Sequence, residues 1–339
     1  MKRGLVIMDP AETAPSEYEA RLEALRDKLR AEGSTVGLVF GDVARSNDIQ
    51  YLTNLCLYWN EAVLVVPVDG KPALITKLSK RVQPWMKRTS VLDDVRSGPQ
   101  LAKNVTQFIK EVVGSIDGQV SLVDLDLWPN FLVNDLSENL PDADLKDLPN
   151  AIRSQRYALS NSEAGLLNEA KNMLNACLDQ AWAQGKNDAQ RIEIAVKETR
   201  SAGFLDVVVF CKSLEDGTVY IDAVGQYRYV WLRVARAEGG AMADLLNSVI
   251  AEVKSKLSTG ICEADLTALV KAQIGDKYQF SFSCMPLSDL ESRGKFRLPG
   301  DGARLLKEGE TVSVSLGLSD NNNVASVSEM VLVPCNSPQ

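Results

Sequence analysis

Residues 218–236, TVYIDAVGQYRYVWLRVAR, decide how the chain is read. Val219 to Val224 and Tyr229 to Ala235 each carry the period of two expected of a strand, and Gly225-Gln226 is the expected turn between them. One acid, Asp222, then faces Arg233 across a hairpin, with Arg228 and Arg236 close by in sequence. Two readings of Asp222 stay open: a general base or ligand for a substrate amine, or the partner of an arginine in a structural ion pair. The arginines read either as a clasp for a carboxylate or phosphate, or as side chains that strand alternation sends to solvent or to a partner subunit.

With 339 residues the chain is expected to form two domains, and 45% apolar residues are enough for real cores. Charge is acidic, 37 basic against 45 acidic residues, with no run of Lys and Arg interleaved with aromatics. That balance argues against nucleic acid and against an anionic membrane surface as partners. The apolar patch after Met1-Lys2-Arg3 breaks at Asp9-Pro10, and no later stretch reaches transmembrane length, so a cytoplasmic protein is expected. Six cysteines are scattered singly without a CxxC pair, which fits reduced thiols.

The most restrictive count is histidine, which is absent. Its absence removes a Ser-His-Asp triad, a Cys-His pair and most zinc sites together. Any chemistry must rest on other groups.

Taken in order, Ser16 with Glu19 forms a capping-box pattern ahead of a helical stripe, Tyr18, Leu22, Leu25 and Leu29, that ends at Gly33. Thr35 to Phe40 reads as a strand and Gln50 to Thr53 as a short extended segment. Glu61 to Pro67 and Pro72 to Thr76 flank Asp69-Gly70, a strong hairpin signal. Helices are expected at 78–87 and 101–114, and a buried strand at Val120 to Val123. The Pro-, Asp- and Asn-rich stretch from Leu140 to Asn150 marks a boundary, giving domains 1–150 and 151–339. Beyond it, Ser160 with Glu163 opens a helix to about Gly185, and Asn187 or Asp188 caps a second. Strands follow through the hairpin. Helices at 241–256 and from Glu263 to Ile274, with strands at Gln279 to Cys284, Thr311 to Leu318 and Val324 to Val333, repeat that order and suggest an internal duplication.

Several stretches together carry a resemblance: Tyr51-Leu52-Thr53-Asn54 followed by EAVLVVPVDGKPALIT, then RSQRYALSNSEAGLLNEAKNMLN from Arg153, LLKEGETVSVSLG and ASVSEMVLVP. In this order and spacing the chain resembles the creatinase, prolidase and aminopeptidase P superfamily. The resemblance implies an α/β N-terminal domain followed by an α+β C-terminal domain of the pita-bread type. In metal-dependent relatives five carboxylate or histidine ligands hold two divalent ions on the C-terminal sheet.

Matched to those motifs, Asp222 stands where the first ligand is expected. Arg233 takes the second acid position, in RVAR, where Arg236 is retained. FSFSCMPL, Phe280 to Leu287, occupies the histidine motif without a histidine, while Ser315 and Ser328 stand at the fourth and fifth positions, with Glu329 beside the latter. The loop ahead of Asp222 that carries a substrate-contacting histidine in relatives is shortened. Two divalent ions need several converging anions, and a guanidinium in the same space can replace them as counter-charge to Asp222. The resemblance therefore implies an Asp222–Arg233 pair, no metal and no other cofactor.

Other residues carry a sharp reading beside a plain one. Cys284 is a nucleophile candidate or a buried inert thiol. Ser283, Ser315 and Ser328 lack a base and read as neutral replacements for ligands. Trp59, Trp85 and Trp231 line a cleft or pack a core, and Asp320 to Asn323 is a turn. Three functions follow as expectations. The first is a non-catalytic dimerising or scaffold subunit, as a homodimer or as a heterodimer with a related active subunit. The second is a metal-independent hydrolase or lyase on a small carboxylated or guanidino compound, with Asp222 or Glu329 as base and Arg233, Arg236, Arg228 and Cys284 around a small anionic ligand. The third is a peptide or small-molecule binding module.

Overall fold

The computed structural model describes residues 7–57, 60–114, 118–291, 295–296, 303–320 and 323–334. Trp59, Cys335, Asn321 and Asn322 lie outside them. The chain divides into two compact units, the first closing at Arg156 and the second opening at Tyr157. The first runs past Asn150 because Ala151 and Ile152 are buried and Arg156 pairs with the buried Asp48 at 3.2 Å.

The first unit is built from α1 (Pro15–Ala31), β1 (Ser34–Gly41), α2 (Asn47–Thr53), β2 (Ala62–Pro67), β3 (Ala73–Thr76), α3 (Gln83–Thr89), β4 (Asp94–Ser97), α4 (Leu101–Val112), β5 (Gln119–Val123), α5 (Asn130–Asn139) and β6 (Asp144–Leu148). Its six strands form one mixed sheet in the order β4-β3-β2-β1-β5-β6. The Asp69-Gly70 signal does join an antiparallel pair, β2 with β3.

Three local expectations fail for physical reasons. Ser16 does not cap α1; Pro15 opens the helix with its preset φ, and no side chain closes the first turn. Gln50 to Thr53 is helical rather than extended, since α2 closes on a left-handed Asn54 and Thr53 Oγ1 donates back to the Ile49 carbonyl at 2.6 Å. The breaker-rich stretch from Leu140 contains β6, a polar edge strand whose two faces are largely open, so no hydrophobic pattern announces it.

The second unit follows with α6 (Asn161–Gln184), α7 (Asp188–Ser201), β7 (Asp206–Ser213), β8 (Val219–Tyr227), β9 (Val230–Glu238), α8 (Gly240–Lys256), α9 (Glu263–Ile274), β10 (Gln279–Pro286), β11 (Leu290–Glu291), β12 (Lys295–Phe296), β13 (Thr311–Asp320) and β14 (Asn323–Leu332). Six strands form a sheet in the order β10-β13-β14-β9-β8-β7, and β11 pairs with β12 as a short ribbon. Among the described residues, each half of the six-stranded sheet has three strands preceded by two α-helices, in mirrored order about the β14–β9 seam. That matches the expected duplication.

The seam is thin, a single paired position, Ser328 with Ala235. Helix side chains from opposite halves reinforce it: Lys171 of α6 donates to the Met330 carbonyl at 3.1 Å, and Asn247 of α8 to the Ala237 carbonyl at 2.9 Å. Backbone acceptors that no strand reaches are thereby satisfied.

The capping box at α6 forms in full. Ser160 Oγ accepts from the Glu163 N–H at 3.1 Å, and Glu163 Oε2 accepts from the Ser160 N–H at 3.0 Å. The other oxygen of Glu163 accepts from the Tyr229 hydroxyl at 2.7 Å, tying the helix start to the β8–β9 turn. Replacing Ser160 with Ala is expected to cost about 1 kcal/mol and Glu163 with Ala about 2 kcal/mol, because the latter loses both ties. Urea unfolding of the two variants measures the difference.

Candidate functional site

Strand alternation gives the second sheet two unlike faces. One carries Ile221, Ala223, Leu232, Val234, Val312, Val314, Leu316 and Val327 into the two cores beneath the helices. The other, free of the long helices, carries Asp222, Arg233, Ser326, Ser328, Ser313 and Ser315, as the β8–β9 and β13–β14 registers require.

The hairpin itself turns later than the sequence suggested. Tyr227 pairs with Val230, so Arg228 and Tyr229 make the turn and Gly225 and Gln226 lie inside β8. Gly225 is a site of close approach: a Cβ there would come within 2.7 Å of the Phe204 ring. Arg228 adopts a left-handed φ of 54° and lies over the Tyr227 ring, with 5.3 Å between the guanidinium and the ring centre.

Asp222 pairs directly with Ala235, and Arg233 pairs with Val224, so acid and guanidinium meet on the diagonal of one face. Arg233 Nε donates to Asp222 Oδ1 at 3.0 Å and Nη2 donates to Oδ2 at 2.5 Å, a two-pronged contact in the geometry that suits guanidinium and carboxylate. Ser326 Oγ adds a third donor to Oδ2 at 3.2 Å. Only 7% of Asp222 is exposed. Burial works against the charge on Arg233, but the hydrogen bonds to Asp222 and its attraction outweigh this, so the Arg233 pKa lies above the ordinary guanidinium value.

Ser315 and Ser328 share a hydroxyl–hydroxyl hydrogen bond of 2.7 Å beside this pair. The segment after β10 then turns over the same face. Leu287 and Leu290 are buried there in one cluster with Val224, Trp231 and Met330. Ser326 and these two leucines were missed in the sequence; the Ser326, Ser328 alternation was the available signal for the first.

The remaining candidates are not gathered at Asp222. Arg236 points to the helix side, where it pairs with Asp179 and donates to Asn175 Oδ1 at 2.6 Å. Glu329 also points to that side and pairs with Lys254 of α8 at 2.6 Å. Cys284 lies in the core under α8 and α9, where burial first and the nearby Glu263 second push its thiol up to about 12. Arg228 stays in the hairpin turn. Of the three tryptophans singled out in the sequence, Trp231 is buried in one cluster with Leu287 and Leu290.

The donor set at Asp222 does not fit a pair of divalent ions. Both oxygens of its one carboxylate are engaged by a cation, and the neighbours are neutral hydroxyls. Among the described residues, no group of three or more His, Cys, Asp and Glu side chains is arranged to hold a metal.

Comparison with known proteins agrees with this architecture. Against solved structures the chain is similar to an Xaa-Pro dipeptidase from Bacillus anthracis, with TM-score 0.72 and 14% identity over 93% of this chain and 95% of that one. It is likewise similar to an X-Pro aminopeptidase from Thermotoga maritima, with TM-score 0.75 and 13% identity over 92% and 94% of the two chains. A prolidase from Pyrococcus horikoshii gives TM-score 0.70 and 12% identity over 93% and 95%. The chain therefore has the fold of the creatinase, prolidase and aminopeptidase P superfamily, an α/β N-terminal part joined to a pita-bread part. Residues 21–158 match the creatinase/prolidase N-terminal domain family by sequence. No curated protein matches the chain by sequence.

Removing one partner of the buried pair strands the other. Arg233→Ala is expected to cost roughly 3 kcal/mol, whereas Asp222→Leu combined with Arg233→Met recovers most of that loss. Equilibrium urea unfolding of the single and double variants checks this.

Proposed function

We propose that this chain is a metal-free, non-catalytic member of the superfamily whose fold it has, acting as a dimerising or scaffold subunit. The observation that carries the reading is the two-pronged Arg233–Asp222 contact, with Ser326 as third donor, on the sheet where the resemblance implies the metal ligands of metal-dependent relatives. A divalent ion at Asp222 would have to displace a guanidinium held by two hydrogen bonds, and only hydroxyls stand ready to complete its shell.

The enzymatic alternative receives less support from the same geometry. Its two candidate bases lie on opposite faces, Asp222 bound to Arg233 and Glu329 bound to Lys254. Its anchors disperse too, because Arg236 is engaged by Asp179 and Asn175. The described cysteines are free thiols, in keeping with the reducing cytoplasm proposed for it.

The test is the purified chain with and without added Mn²⁺. The reading predicts an unchanged melting temperature and no cleavage of Xaa-Pro dipeptides, the class of substrate named for the similar dipeptidase. A metal-dependent rise in melting temperature, or turnover that a chelator abolishes, overturns it.

A further inference from the structure

We propose that the cavity on the helix side of the β14–β9 seam binds a short peptide as a zwitterion, its carboxylate at Lys171 and its ammonium at Glu238. The site lies on the face away from Asp222, and it does not depend on the dimerising reading above. The cavity measures about 350 Å³; its floor is the strand backbone around the Ser328–Ala235 pair, and α6 and α8 line it from either side. No further positions of β14 and β9 are joined beyond that pair, which leaves the room.

Helical spacing builds the walls. Lys171, Asn175 and Asp179 recur every four residues on α6 and so share one stripe, which meets β9 through Arg236. Asn247 and Lys254 share a stripe on α8 in the same way. Of the four charged side chains that line the cavity, two are already neutralised, Arg236 by Asp179 and Glu329 by Lys254. The other two, Lys171 and Glu238, have no ion partner among the described residues. Half-buried Lys171 uses one of its three N–H donors, on the Met330 carbonyl at 3.1 Å, and exposed Glu238 stands where β9 gives way to α8. One uncompensated charge of each sign suits a zwitterion, whereas a dianion would meet Glu238 and Glu329 as well as Lys171.

The strands set the length of the ligand. Met330 lies two residues beyond the paired Ser328, and Glu238 three beyond the paired Ala235; the strands are antiparallel, so the two offsets run in opposite directions and add. At about 3.3 Å per residue they separate Met330 from Glu238 by roughly 16 Å. Two charge-assisted hydrogen bonds of about 2.8 Å each take up part of that span and leave about 10 Å between the ends of the ligand. An extended tripeptide covers about that length, and a single amino acid falls well short of it. Near the Glu238 end the Asn247 amide donates to the Ala237 carbonyl at 2.9 Å, which leaves its own oxygen to accept from a ligand N–H.

Isothermal titration calorimetry with triglycine tests this. The wild-type protein is expected to bind triglycine about fivefold more tightly than triglycine amide, in which the carboxylate is gone, and about fivefold more tightly than N-acetyltriglycine, in which the ammonium is gone. Lys171→Met is expected to erase the first preference alone and Glu238→Gln the second alone, with circular dichroism to verify that each variant folds. Glu238 is exposed, so its variant keeps the test decisive even where Lys171→Met weakens the seam. Absence of saturable triglycine binding overturns the proposal, as do preferences that survive the two substitutions. Neither result bears on the scaffold reading, which the Mn²⁺ experiment tests separately.

Discussion

The contact on which the second unit depends is the guanidinium of Arg233 laid against the carboxylate of Asp222. A carboxylate at 7% exposure is not tolerated without a counter-charge, and something must supply it. Arg233 does so from the neighbouring strand, in a geometry that uses both carboxylate oxygens. Ser326 reaches the same carboxylate from β14, so the network spans the seam where the two halves of the sheet share only one paired position. On the opposite face Lys171 and Asn247 perform a comparable task through backbone carbonyls.

This view gives one account of several polar positions on one sheet face. Asp222, Arg233, Ser315, Ser326 and Ser328 are scattered in sequence. In space Asp222, Arg233 and Ser326 form one hydrogen-bonded network with the Ser315–Ser328 pair beside it, on the face where Leu287 and Leu290 pack with Val224, Trp231 and Met330. The one carboxylate there is neutralised by one guanidinium, and its other neighbours are neutral hydroxyls. The cluster has the character of a structural joint.

Much of the fold was legible because its signals are local. The Ser160–Glu163 box, the Asn187 cap, the Asp69-Gly70 hairpin and the alternation of β8 and β9 each specify an element without reference to the rest. The failures came where tertiary packing decides. Gly225 looked like a turn residue, but it is a strand glycine that leaves room for the Phe204 ring. The buried helix α2 and the polar edge strand β6 carry no clean amphipathic period. The site was legible in part for the same reason. Asp222 and Arg233 share a face by strand parity, and the same parity turns Arg236 away, whereas the facing of Glu329 and Cys284 follows from how β14 and β10 join the sheet, pairings between strands distant in sequence. Leu287 and Leu290 could not be seen, because nothing local tells a chain segment to fold back across a sheet.

Anomalous diffraction at the manganese edge from crystals soaked in Mn²⁺ addresses the joint most directly. If Arg233 has taken the place of metal as counter-charge, no anomalous peak stands within bonding distance of Asp222 and both prongs of the Arg233 contact remain. A peak bound to Asp222, with the guanidinium swung aside, would contradict it.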